Sequence, residues 1–200
     1  VEHMGHISFA DGYSVMKEHG APFSPELMER YNLIPQGLSA EMIAEKWGTS
    51  RAELDRVSYG SHMRAAKATD EGKLPEEIVA VTIKGRKGDT VVEIDESVRP
   101  DTTLEALSKL KPIFMEDGTH TAGNSPGVND GAGAIVVASD EWAQAHGVPV
   151  LAHFVDSETA AVDYVSGADG LLMAPTYAVP RLLARNGLAL GDFDFYEIHE

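Results

Sequence analysis

Thr121-Ala122-Gly123-Asn124-Ser125-Pro126-Gly127-Val128-Asn129-Asp130-Gly131-Ala132-Gly133 is the stretch on which the reading of this chain turns. It holds four glycines and hardly a large side chain, so it is not ordinary core. Glycines let a backbone approach a ligand closely, and free amides in such a stretch can bind acceptors or phosphate. The lysine of a phosphate loop is missing, however, and no Gly-x-Gly-x-x-Gly follows a strand. On composition alone a structural turn is the better reading.

Downstream of this stretch the pattern is regular. Ala134–Ala138 reads as a short apolar strand, and Ser139-Asp140-Glu141 starts a helix ending at Gly147. Val148–Val155 is a further strand, 156–175 a loop, and Pro180 fits the first turn of a helix closed by Gly187. Phe193–Ile198 is a last strand before His199-Glu200. Strand–helix–strand–helix–strand implies parallel strands covered by helices. Three strands make a thin sheet with edges to manage, so the expectation is of a part of something larger.

Upstream, residues 1–23 show no period and read as loop. Ser24-Pro25-Glu26 opens a short helix ending near Asn32, and Ser39 to Trp47 forms a second, closed by Gly48. Ser50-Arg51-Ala52-Glu53 is a capping box. It opens the longest helix, in which Leu54, Val57, Ser61, Ala65 and Ala68 share one face and which Gly72 stops. Ile78–Lys84 and Thr90–Ile94 flank a Gly-Arg-Lys-Gly-Asp turn, the signature of a hairpin. Thr102-Thr103-Leu104-Glu105 is a second capping box, starting a helix with Leu104, Leu107 and Leu110.

The chain has 200 residues, 43% of them hydrophobic and 24% charged, enough for a sizeable core. Its formal charge is −16, which argues against a general nucleic-acid binder. No apolar run approaches the ~20 residues of a membrane helix, and nothing at the start reads as a signal peptide, so a cytoplasmic location is expected. With no cysteine, disulfides and thiolate metal sites are excluded, and any thiol nucleophile must come from outside this segment. Six of the sixteen bases (Lys84, Arg86, Lys87, Arg99, Lys109 and Lys111) fall within 84–111, and none lies between Pro112 and Pro180. An acidic protein that gathers its bases in this way can hold a phosphorylated small molecule while repelling polyanions.

Asp117–Gly133 resembles the stretch of thiolases that precedes the last strand of their first half-domain: a Thr-Ala-Gly-Asn run, two small residues, then Gly and Asn-Asp-Gly. The likeness extends in order along the whole chain. Val1-Glu2-His3-Met4 is similar to the sequence shortly after the thiolase nucleophile. Lys84–Asp89 and Arg99-Pro100 through Lys111-Pro112 resemble the loop domain covering coenzyme A, and Phe193 to Glu200 the strand that ends in Asn-Glu-Ala-Phe. The fold so implied is α/β, the layered αβαβα thiolase fold. Residues 1–116 would be the lid, 117–147 the last strand and helix of the N-terminal half-domain, and 148–200 the start of the C-terminal one.

That resemblance implies an acyl-CoA acyltransferase in which a cysteine outside this segment forms an acyl-enzyme, so the segment alone would be inactive. His199 matches the usual Asn whose water donates to the thioester or enolate oxygen, the oxyanion-hole position. Arg99 matches a residue against the adenine and phosphate end of coenzyme A, Phe114 an aromatic contacting adenine or pantetheine, and Ala122 and Ser125 small residues along the pantetheine. Pro126 replaces a serine that donates to a pantetheine amide, and proline offers neither hydroxyl nor N–H. Ala106 replaces another frequent serine.

His-Glu in place of Asn-Glu, with Pro175-Thr176-Tyr177 upstream, resembles trifunctional-enzyme β subunits and favours thiolytic cleavage of 3-ketoacyl-CoA. Lys84–Asp89 leans instead to acetyl-CoA acetyltransferases that condense to acetoacetyl-CoA. Pro126 motivates a third reading, a non-catalytic thiolase-like acyl-CoA or lipid binder. A subunit contributing only lid and dimer contacts is a fourth. No permanently bound cofactor is implied; coenzyme A and its thioesters are substrates. A homodimer or homotetramer is expected, with association into a multienzyme β-oxidation assembly as a further expectation.

The remaining constellations are weaker. His3-Met4-Gly5-His6 is too small a ligand set for a metal, so no metal is expected. His120 reads as solvent-facing, and Trp47 and Trp142 as core anchors.

Overall fold

The computed structural model describes residues 9–163 and 165–198. They fall into two units, one formed by the described residues up to Ile34 with those from Val128 onward, the other by Pro35–Gly127.

Pro35–Gly127 carries most of the ordered architecture. Helix α3, Gln36–Trp47, ends on Gly48 at φ +66°, a left-handed position that glycine occupies without a Cβ penalty. Two residues on, Ser50 and Glu53 form the expected capping box, the Ser50 hydroxyl accepting from Glu53 N and the Glu53 carboxylate from Ser50 N at 2.8 Å. A cap of this kind is worth about 1 kcal/mol, and it launches α4, Arg51–Asp70. A 3-10 turn at Leu74–Glu76 leads to β1, Val81–Ile83, which pairs antiparallel with β2, Thr90–Val92, in the register Val81 with Val92 and Ile83 with Thr90. Helix α5 runs over Leu104–Ser108. Its N-cap is Thr103, one residue later than the sequence pattern places it, because the Thr103 hydroxyl is the group that accepts from Ala106 N.

The inward face of α4 differs from expectation. Leu54, Ala65 and Ala68 are half-buried, but Val57 is 69% exposed and Ser61 is also exposed, whereas Asp55 is buried. The face turned inward carries Arg51, Asp55, Ser58 and His62, a polar stripe at spacings of four, three and four residues. Buried residues of this unit are correspondingly mixed: Ala44 and Leu107 with Ser39, Glu41, Asp55 and Thr121.

In the other unit the expected loop over 1–23 contains a helix, α1, Phe9–His19. Asp11 in its first turn and Lys17 and His19 in its last suit the helix dipole, and Gly20 at φ +90° follows it. Helix α2, Pro25–Arg30, has Ser24 as its cap. Helix α6, Asp140–His146, is capped by Ser139 and closed by Gly147 at φ +63°. Trp142 is 44% exposed, stacked on His146 rather than anchoring a core, and Trp47 in the first-described unit is 54% exposed, under the Lys46 ammonium. Helix α7 spans Ala174–Asn186, starting six residues before Pro180. Pro175 takes the first turn, where its missing N–H costs nothing, and Pro180 sits in the interior. Arg185 on α7 pairs with Asp156 at 2.9 Å and Glu158 at 2.5 Å.

Among the described residues none of the three expected parallel strands is formed. Segments 134–138, 148–155 and 193–198 are irregular, without ladder partners. Ile135, Leu151, Phe154, Phe195 and Ile198 are each more than 80% exposed. The apolar runs are real, but a strand is defined by a neighbour to pair with.

Candidate active site

Around the Thr121–Asn124 run the polar groups close on one another. Glu41, on α3, is 6% exposed. Its carboxylate accepts from Thr119 N at 2.9 and 3.0 Å, Thr119 Oγ1 at 2.8 Å and His120 N at 3.0 Å. His120 Nδ1 lies 3.2 Å from the same carboxylate. Burial by itself raises the Glu41 pKa, but the hydrogen bonds from Thr119 and His120 together outweigh it and hold the carboxyl at about 2. His120 is therefore a partner of Glu41, with its side chain 17% exposed, and not a solvent-facing residue. Neither Glu41 nor Asp55 stands out in the sequence as anything but a surface acid.

The second knot centres on Asn124. Its amide oxygen accepts from Thr121 N at 2.8 Å, and its Nδ2 donates to Thr119 O at 3.0 Å and to Asp55 Oδ1 at 2.9 Å. Asp55 also receives Arg51 Nε at 2.8 Å, and Arg51 Nη2 continues to the carbonyls of Leu107 and Leu110 at 2.5 and 3.2 Å. Ser58 Oγ donates to Gly123 O at 2.6 Å. Gly123 packs closely here: a Cβ would come within 2.6 Å of the Leu107 and Leu110 methyl groups and make them shift. The turn is completed by Gly123 N on Thr121 Oγ1 and Asn124 N on Thr121 O, both at 3.2 Å.

The amides of 119, 120, 121, 123 and 124 thus all have internal partners. A glycine-rich phosphate cradle needs such amides free, so the structural-turn reading describes this run. What the turn leaves outward are Ala122 and Pro126, both exposed, with Ser125 half-buried.

Phe114 joins this segment through the bridge between Pro112 and Thr121 and the hydrogen bond from Ile113 N to His120 O at 3.0 Å. Its ring lies on Gly37 of α3, where a Cβ would sit 2.2 Å from the ring, and Phe114 stays 41% exposed. Arg99 is exposed, and its backbone N donates to His62 Nδ1 at 3.2 Å. Accepting at Nδ1 places the imidazole proton on Nε2. The helix that grips the Asn124 turn through Asp55 and Ser58 thus also grips the Arg99 segment. His199, and with it His3 and His6, lies outside the described residues. Among the described residues no group of three or more His, Asp or Glu could hold a metal, and no helix is long and apolar enough to cross a membrane.

The family model described as thiolase, N-terminal domain, matches residues 1–141. The beta-ketoadipyl-CoA thiolase of Pseudomonas aeruginosa is 44% identical over 178 residues, 88% of this chain and 43% of that protein. The acetyl-CoA acetyltransferase of Paracoccus denitrificans is 38% identical over 99% of this chain and 50% of its own length. The chain therefore spans half or less of the length of these curated relatives. The crystal structure of human mitochondrial 3-ketoacyl-CoA thiolase superposes with a TM-score of 0.68 at 37% identity, over 81% of this chain and 40% of that one. With its fold matched over four fifths of its length and its sequence over nearly all of it, this chain belongs to the thiolase family.

Proposed function

We propose that this chain covers the thioester ligand in a thiolase that cleaves 3-ketoacyl-CoA with coenzyme A. The chain has no cysteine, so the acyl-carrying thiol is supplied outside these 200 residues. Residues 1–116 act as lid, 117–147 complete the N-terminal half-domain, and 148–200 open the C-terminal one. Arg99 lies against the adenine and phosphate end of coenzyme A, its guanidinium suiting both phosphate and ring stacking. Phe114 contacts adenine or pantetheine, and Ala122 and Ser125 line the pantetheine. Pro126 removes one donor from that lining, a contact that is either lost or taken over by Ser125. His199 fills the oxyanion-hole position as an N–H donor. No cofactor is resident; the ligand is the substrate thioester.

The observation that carries this reading is the division of labour in the Thr119–Pro126 segment. Its polar backbone is fixed from behind by Glu41, Asp55 and Ser58, while Ala122 and Pro126 stand exposed. Small exposed side chains on a fixed segment suit an extended, mostly apolar ligand arm.

Condensation of acetyl-CoA to acetoacetyl-CoA is the second reading. Lys84-Gly85-Arg86-Lys87-Gly88-Asp89 and the 99% coverage by an acetyl-CoA acetyltransferase favour it. A non-catalytic acyl-CoA or lipid binder is kept only on account of Pro126. A homodimer or homotetramer, association with a multienzyme β-oxidation assembly and a cytoplasmic location belong to the same proposal, although one structural neighbour is named mitochondrial.

The full-length polypeptide decides among these when offered 3-ketoacyl-CoA with coenzyme A, and acetyl-CoA alone. Thiolysis should predominate, and His199→Ala should lower turnover by about a hundredfold or more, as loss of an oxyanion donor does, with an unchanged melting temperature. Turnover close to that of the parent would remove His199 from this role.

A further inference from the structure

We infer that the polar stripe Arg51, Asp55, Ser58 and His62 on α4 is the positioning element of the coenzyme A site, with Asp55 and Ser58 setting the pantetheine-facing segment and His62 setting the Arg99 segment. This rests on the coenzyme A reading of Arg99, Phe114, Ala122 and Ser125, and adds the residues that place them.

Three observations carry it. The stripe occupies one helical face at spacings of four, three and four residues, and such residues stack along a single line. Successive members reach different ligand-bearing segments: Asp55 holds Asn124 at 2.9 Å, Ser58 holds Gly123 O at 2.6 Å, and His62 holds Arg99 N at 3.2 Å. Arg51 neutralises Asp55 and ties the same face to the end of α5 through Leu107 and Leu110. One rigid helix of 20 residues therefore fixes both segments relative to each other.

A stripe serving only stability would be expected to be apolar, since burying polar groups gains little over well-packed hydrocarbon. Hydrogen bonds are directional, and here they end on the backbone or amide of the segments that carry the proposed contacts. Small displacements of such segments are costly to binding.

The test uses the full-length protein and two substrates: a coenzyme A thioester, and the same acyl group on pantetheine, which lacks the nucleotide. Asp55→Asn, which removes the charge that Arg51 neutralises and sets an amide donor in place of Oδ2 against Arg51 Nε, should raise KM for both thioesters by about tenfold, the equivalent of losing one charge-assisted hydrogen bond. Ser58→Ala should raise both by about threefold. His62→Ala should raise KM for the coenzyme A thioester alone, and His62→Asn should restore it, because the amide oxygen can accept from Arg99 N. In each variant kcat should stay within about twofold, as expected when ground-state and transition-state binding fall together.

The inference is overturned if Asp55→Asn folds normally and leaves both KM values unchanged, or if His62→Ala affects the two thioesters alike. Should Asp55→Asn fail to fold, Ser58→Ala decides in its place, and an unchanged KM for both thioesters overturns the proposal. Failure of the coenzyme A reading itself looks different: the parent protein would then turn over neither thioester, or both with one KM.

Discussion

Glu41→Gln isolates one charge at the root of the Thr119–Asn124 turn. The carboxyl titrates at about 2 instead of 4.5 because donors from Thr119 and His120 overcome the penalty of its burial. At roughly 1.4 kcal/mol per pH unit, the ionised form is worth about 3 kcal/mol to the folded state at neutral pH. A depressed carboxyl contributes stability that is complete above its unfolded pKa and is lost as pH falls through the folded one. The contribution is therefore whole above pH ~5, near 1.4 kcal/mol at pH ~3 and almost gone at pH ~2. Glutamine mimics the protonated carboxyl: same shape, no charge, one acceptor fewer facing the donors.

Amide hydrogen exchange reads this locally, since Thr119 N and His120 N are the groups the carboxylate holds. Their protection should fall about a hundredfold in Glu41→Gln at pH 7, and the ratio to the parent should shrink to about tenfold at pH 3. Taking the ratio at each pH removes the intrinsic pH dependence of exchange. A ratio that does not change with pH would show that the substitution acts through shape and not charge. A ratio near one at pH 7 would refute the argument altogether.

Gly37→Ala should displace the Phe114 ring, since the added carbon would lie 2.2 Å from it; the expected readout is a rise of about tenfold or more in KM for coenzyme A thioesters, and an unchanged KM would remove Phe114 from the ligand contact. Pro126→Ser should lower KM for coenzyme A substrates several-fold by returning a hydroxyl donor, about 1 kcal/mol; no change would show that the contact has been rewired through Ser125. Pro180→Ala should raise the stability of α7, where an interior proline costs up to about 3 kcal/mol, and a lower melting temperature would show that the kink is needed by the packing.

Helix ends were legible in the sequence because their determinants are adjacent in the chain. Ser24, Ser50 and Ser139 cap their helices, Gly48, Gly147 and Gly187 close theirs, and the turn around Gly85–Gly88 joins β1 to β2. Even the errors near ends are local: a helix beginning at Pro175 and one beginning at Pro180 satisfy the same rule about proline and the first turn, and nothing in the composition chooses between them. The three parallel strands were a different problem. Their apolar runs are plain over 134–138 and 148–155, yet the described residues give them no ladder to join.

The site was hidden for a further reason, which lies in how hydrophobic periodicity is used. It assigns the apolar side of an amphipathic helix to the interior, and on α4 that choice selects Leu54, Ala65 and Ala68, which are half-buried, but also Val57 and Ser61, both exposed. The interior side carries Arg51, Asp55, Ser58 and His62, whose partners lie 37 to 69 residues away. Glu41 likewise meets Thr119 across 78 residues. A carboxylate with distant partners looks, in sequence, the same as one on a wet surface. The trace it does leave is the spacing: four polar residues four, three and four apart repeat as regularly as a hydrophobic seam would. Together with a Thr-x-Gly-Asn turn rich in donors and poor in charge, that spacing identifies an inward polar face. Glycine in this turn serves close packing under Leu107 and Leu110, and the proposed ligand contacts fall to the side chains that the turn holds outward.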